Sequence, residues 1–197
     1  MDHYKVIGGV GDHSVWKHEV IVIEPKKVSS RNTTLLYLAS ATAGCMDDQP
    51  ITNAFQNVDT AFGDVLAHEA ELITIVAFQV PNCKMKFADD PEKKHRSEDS
   101  QLAWSLHMFL DSLDPNDMLI YPMAKASLAI AKAAIDYEVK KGNLDEGAGT
   151  VFQGASKRGW AMWMVGASVG AKTDYPPVLG ILPMVPIVPD LVKNLHR

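Results

Sequence analysis

Gly149-Thr150-Val151-Phe152-Gln153-Gly154-Ala155-Ser156-Lys157-Arg158-Gly159-Trp160-Ala161-Met162-Trp163-Met164 is the stretch that decides the fold class. Gly149 to Gln153 has the β-branched and aromatic content of a short strand. Trp160 to Ala167 has the length and apolar content of a helix. Only the small turn Gly154 to Gly159 separates them. A strand that turns so abruptly into a helix is the opening half of a βαβ unit, and such units build parallel sheets.

The same alternation runs outward along the chain. Val15 to Glu24, with Val20-Ile21-Val22-Ile23 stopped by Pro25, predicts a strand. Thr34 to Ala39 and Glu71 to Val80 predict two buried strands, and Asn57 to Glu71 a helix between them. Ser97 is the expected N-cap of a further helix, with Glu98 and Asp99 complementing the dipole. Leu102, Leu106, Phe109, Leu110 and Leu113 form its expected buried stripe. A helix from Pro122 to Lys141, closed by Gly142, and a last strand over Val178 to Val188 complete the pattern. The expected fold is α/β: a mostly parallel sheet with flanking helices, in a single domain over residues 1–197.

Composition narrows the function classes. The chain has 197 residues, 47% hydrophobic and 22% charged, which is globular and not disordered. Lys plus Arg is 19 against 24 for Asp plus Glu, a formal net charge of -5. Nothing in that balance draws nucleic acid or an anionic membrane. No apolar stretch is long enough to span a bilayer, and the longest, Tyr175 to Pro189, is broken by five prolines. Met1 to Lys5 lacks the start of a secretory signal. The two cysteines, Cys45 and Cys83, form no Cys-x-x-Cys; two separate buried thiols are expected, with a disulfide left open. His18, His68, His95 and His107 are scattered without metal-ligand spacing, so no metal is expected. Gly8-Gly9-Val10-Gly11 lacks the flanks of a phosphate loop, and no cofactor is expected. Asp47-Asp48, Asp89-Asp90 and Lys93-Lys94-His95-Arg96 read as solvated loops, and Trp160, Met162, Trp163 and Met164 as core of their helix.

The turn at Ser156 carries the chemistry. A Ser on a tight strand-to-helix turn is the geometry of a nucleophile elbow, which lifts the hydroxyl above the carboxyl end of the sheet. The following helix N-terminus supplies N–H donors and a positive dipole for a developing oxyanion. The Lys157 N–H is one such donor, and the loop Ala41-Thr42-Ala43-Gly44 the expected source of a second. The spacing is G-x-S-x-x-G and not the usual G-x-S-x-G. By pattern alone the string is equally a βα turn that Ser156 simply caps.

Gly154-Ala155-Ser156-Lys157-Arg158-Gly159-Trp160 resembles the signature of the PhoPQ-activated pathogenicity-related protein family. Trp16-Lys17-His18-Glu19, Val80-Pro81-Asn82, Glu98-Asp99, Pro122-Met123-Ala124-Lys125 and Ile181-Leu182-Pro183-Met184-Val185-Pro186 resemble further blocks of that family in the same order. The resemblance implies an α/β-hydrolase-like fold and a serine nucleophile, with Arg158 or Lys157 helping to hold the oxyanion, as an Arg beside the Ser does in glucuronoyl esterases. The implied substrate is a small ester or amide, or a peptide. The family also includes proliferation repressors, which implies a second possibility: a secreted, non-catalytic signal acting on a cell-surface receptor. A secreted or periplasmic location follows from the resemblance alone.

A triad on this scaffold runs Ser, then acid, then His. Asp190 follows the last predicted strand at the correct end of the sheet and is the candidate acid. Asp174 is expected at the opposite end, and His196 reads as part of the terminus. The expectation is therefore an incomplete triad in the N-terminal part of an α/β-hydrolase-like domain, with an open sheet edge and exposed apolar surface.

Overall fold

The computed structural model describes residues 16–39, 57–82, 84–171 and 174–185. Among the described residues five strands and four α-helices follow one another: β1 (Val20–Ile23), β2 (Thr33–Leu38), α1 (Val58–Ala70), β3 (Ile73–Ala77), α2 (Asp99–Ser112), α3 (Ile120–Lys141), β4 (Gly149–Ala155), α4 (Lys157–Ala167) and β5 (Val178–Met184). They form one sheet in the order β1-β3-β2-β4-β5. The β3-β2, β2-β4 and β4-β5 pairs are parallel, and β1 runs antiparallel on β3 with Val20 opposite Ala77. The α/β architecture with a mostly parallel sheet is the expected one.

Helices cover both faces, as a sheet of near-continuous apolar strands requires. Leu36, Leu38, Ile75, Ala77 and Phe152 point to one side, where Leu102 of α2, Met123 and Ala131 of α3, and Met162 and Val165 of α4 close over them. On the other side Tyr37, Val76 and Phe78 pack with Ile21, Ile23, Leu66 of α1, and Met184. The Tyr37 hydroxyl donates to Oδ1 of Asp59 at 2.7 Å, which ties β2 to the first turn of α1. Burial, and then the bond to Asp59 and its charge, push the Tyr37 phenol far above its ordinary value. The edge strand β5 leaves Leu179 and Leu182 exposed.

Several local expectations change. Ser97 is not the cap of α2: the Ser100 hydroxyl donates to the Ser97 carbonyl and accepts from its N–H, and the cap position falls to Glu98. The leucine stripe of α2 is buried only at its start. Leu102 is buried with Gln101 and Ser105, whereas Leu110 is exposed and Leu113 is 73% exposed. Periodicity sets which side of a helix is apolar, but not how deep it lies: Leu102 is buried, Trp104 and Met108 pack half-buried against the core, and the end of α2 leaves it. Of the expected α4 core, Met162 is buried and Trp160 and Met164 pack half-buried against it, whereas Trp163 stands 48% exposed. Asp90 is not solvated. It is buried and takes two hydrogen bonds from the Arg96 guanidinium, at 2.7 and 3.0 Å, which hold its carboxyl below the usual range. Arg96 lies 4.6 Å over the Trp104 ring, so only the lysines and His95 of that basic run are solvated. The last strand ends at Met184.

Candidate active site

β4 ends at Ala155 and α4 begins at Lys157, so one residue makes the whole turn. That residue is Ser156, at φ 56 and ψ −125. The positive φ pushes the Ser156 Cβ against its own backbone, and residues with a side chain adopt such a conformation only where their surroundings impose it. Two contacts impose it here. The Ser156 N–H donates to the carbonyl of Met184 on β5 at 3.0 Å, and the Trp160 N–H donates to the Ser156 carbonyl at 3.1 Å.

The two glycines of the string are steric requirements. A Cβ on Gly154 would lie 2.8 Å from the Arg158 carbonyl oxygen, and one on Gly159 would lie 2.8 Å from that of Met184. Both obstacles are backbone and cannot rotate away. The extra residue in G-x-S-x-x-G therefore keeps its reason: Gly159 is where α4 crosses closest to the end of β5. The capped-turn alternative does not hold, because the Ser156 side chain makes no capping hydrogen bond to α4.

Charge around the turn is organised by α2. The Lys157 ammonium lies 2.6 Å from Oε2 of Glu98 and 2.8 Å from Oδ1 of Asp99. NH2 of Arg158 donates to Oε1 and Oε2 of Glu98 at 3.0 and 3.2 Å. Both cationic residues are buried, Arg158 with 4% exposure, and among the described residues the Arg158 Nε–H has no hydrogen-bond partner. The positive charge of Arg158 also reaches Tyr37, whose ionisation it favours slightly against the larger opposing effects. Glu98 and Asp99 were expected only as dipole-complementing residues of α2. Their partners lie about 60 positions away in sequence, and no local pattern signals such a pairing.

Placement of the other expected residues is uneven. Ser156, Lys157 and Arg158 come together at the carboxyl end of the sheet. As the first residue of α4, Lys157 directs its N–H out of the intrahelical ladder toward the same end. Asp190, His196, Ala41 to Gly44, Cys45 and Cys83 lie outside the described residues. Asp174 lines a small cavity of about 220 Å³ with Lys132, Asp136, Gly147, Ala148 and Pro177. Gly147 and Ala148 lead into β4 and Pro177 into β5, so Asp174 is at the opposite end from Ser156. Among the described residues no group of three or more His, Cys, Asp or Glu is placed to hold a metal ion, and no helix is long and apolar enough to cross a membrane.

Comparison with known proteins agrees with the family resemblance of the Gly154 to Trp160 string. The chain is 26% identical over 185 residues to autocrine proliferation repressor protein A of Dictyostelium discoideum, an alignment covering 93% of this chain and 34% of that protein. The chain thus spans about a third of the length of this curated relative. The family model for PhoPQ-activated pathogenicity-related protein matches residues 8–197. The chain belongs to the PhoPQ-activated pathogenicity-related protein family.

Proposed function

We propose that this chain carries the nucleophile of a serine hydrolase on an α/β-hydrolase-like fold, with Ser156 attacking an ester or amide carbonyl. The observation that carries the proposal is the Ser156 backbone, strained at φ 56 on a one-residue turn from β4 into α4, with a hydroxyl not consumed in capping. The sheet order supports the fold: an antiparallel edge strand, then parallel strands, with the serine at the end of the fourth strand in sequence. In this mechanism the oxyanion that forms on the attacked carbonyl is met by the Lys157 N–H and the positive end of α4. The side chains of Lys157 and Arg158, ion-paired with Glu98 and Asp99, hold that first turn in place. A Ser hydroxyl is a weak nucleophile until a base removes its proton. Asp190 is the residue assigned to orient that base.

A fluorophosphonate probe on the full-length protein tests the proposal. Labelling that disappears in Ser156→Ala supports it. A folded wild-type protein that takes no label removes it.

A second reading starts from the relative's name, which gives it as an autocrine proliferation repressor; for this chain we propose in that case a non-catalytic signal acting on a cell-surface receptor. Growth repression retained in full by Ser156→Ala favours it. Growth repression lost along with the label returns the function to the serine.

A further inference from the structure

Ser156 and Glu98 share an unusual backbone conformation, and Glu98 is ion-paired with the two residues that follow Ser156. Ser156 at the start of α4 has φ 56 and ψ −125; Glu98 at the start of α2 has φ 51 and ψ −121. Glu98 makes no cap for its own helix. Its carboxylate crosses to α4 and holds the two residues that follow Ser156, Lys157 at 2.6 Å and Arg158 at 3.0 Å.

The charges explain why that contact matters. Lys157 and Arg158 are adjacent cations in the first turn of a helix, where the dipole disfavours positive charge. Both are buried, so each needs a counter-charge. Asp99 also reaches Lys157, but its side chain is 80% exposed and the pair is screened by water. Glu98 is the less exposed of the two carboxylates and the one that touches both cations. Without it, the buried guanidinium loses the carboxylate that compensates its charge and gains by swinging outward, taking the first turn of α4 with it. Ser156 immediately precedes that turn. On its other side it is anchored to β5 through the Met184 carbonyl. The elbow is therefore held from two directions, by β5 and by Glu98.

We propose that Glu98 is a positioning residue for the Ser156 nucleophile, acting through Lys157 and Arg158 and not by contact with substrate. This rests on the serine-hydrolase reading above. A residue of this kind changes how well the hydroxyl and the Lys157 N–H are placed, and leaves substrate binding alone. Small misplacements of reacting groups cost large factors in rate.

The test is the inactivation kinetics of the full-length protein with a fluorophosphonate probe, in wild type, Ser156→Ala, Glu98→Gln and Glu98→Asp. Saturation curves separate the maximal rate of inactivation from the probe concentration at half-saturation. Glu98→Gln is expected to lower the maximal rate by about 10- to 100-fold with half-saturation unchanged. Glu98→Asp, which keeps the charge but shortens the reach, is expected to recover part of the loss. Hydrogen exchange should quicken at the amides of 156–160 and not in α3. Equal maximal rates in wild type and Glu98→Gln overturn the positioning role and leave the hydrolase reading standing. A loss in both Glu98 variants matched by a general fall in melting temperature makes Glu98 merely structural and also overturns it. Absence of Ser156-dependent labelling in wild type removes the hydrolase reading, and the positioning role falls with it.

Discussion

Gly159 of α4 and Met184 of β5 approach so closely that a single added carbon on the glycine would sit 2.8 Å from the Met184 carbonyl oxygen. That same oxygen accepts the Ser156 N–H. One backbone atom of the neighbouring strand therefore both limits the helix and anchors the turn at Ser156.

Gly159→Ala should consequently damage stability and site together. The methyl group meets backbone that cannot rotate away, and overpacking of this kind costs about 1–3 kcal/mol. The Ser156 to Met184 bond should lengthen and probe labelling should fall. Gly180→Ala is the control, because its Cβ would meet only Val151 methyls at 3.7 and 3.9 Å, an ordinary contact. Denaturant midpoints of the two variants decide the point; equal midpoints would contradict the close approach.

Ser156→Gly should make the protein more stable and inert. Glycine adopts positive φ without a Cβ penalty, and strained residues of this kind cost of order 1–3 kcal/mol. Glycine's greater freedom in the unfolded chain offsets part of the gain, leaving about 1 kcal/mol of net stabilisation. Urea denaturation measures it. A variant less stable than wild type would mean that the Ser156 side chain makes stabilising contacts that outweigh the strain.

Tyr37 predicts an alkaline limit. Its phenol titrates above the ordinary value of 10.0 in the folded chain, chiefly through burial and then through Asp59. A folded-state value above the unfolded one means that the group's stabilisation is complete below about pH 10 and is lost as pH rises beyond it. Tyr37→Phe should cost about 1–2 kcal/mol near neutrality, from the lost hydrogen bond to Asp59. That deficit should shrink as pH climbs above 10. Paired melting curves across that range check it, and a deficit independent of pH would contradict the assignment.

Much of the fold was legible locally. The β-branched run Val20 to Ile23 marks a strand because such side chains suit a pleated surface and crowd a helix, and Thr34 to Leu38 marks another as a short apolar run of buried-strand length. Lys140-Lys141-Gly142 marks the end of α3 because glycine alone turns back at φ 80 without strain. Less was legible where the pattern specifies a side but not a depth. The leucines of α2 show it, as does Trp163 on α4. Ser97 shows a different limit: the Ser100 hydroxyl bonds to the Ser97 N–H and carbonyl, and the cap position falls to Glu98, one residue further on.

The candidate site divides along the same line. Gly154-Ala155-Ser156-Lys157-Arg158-Gly159 is sufficient to specify a strand, a turn and a helix in direct succession, because steric limits on φ and ψ act between neighbours. That string marks Ser156 before any coordinates are known. Packing alone decided the rest: that Gly159 faces Met184, that β1 runs antiparallel to β3, and that Glu98 crosses to Arg158 from 60 positions away. Coulomb attraction and excluded volume act through space, so residues far apart in the chain acquire these relationships only when the fold brings them within a few ångströms.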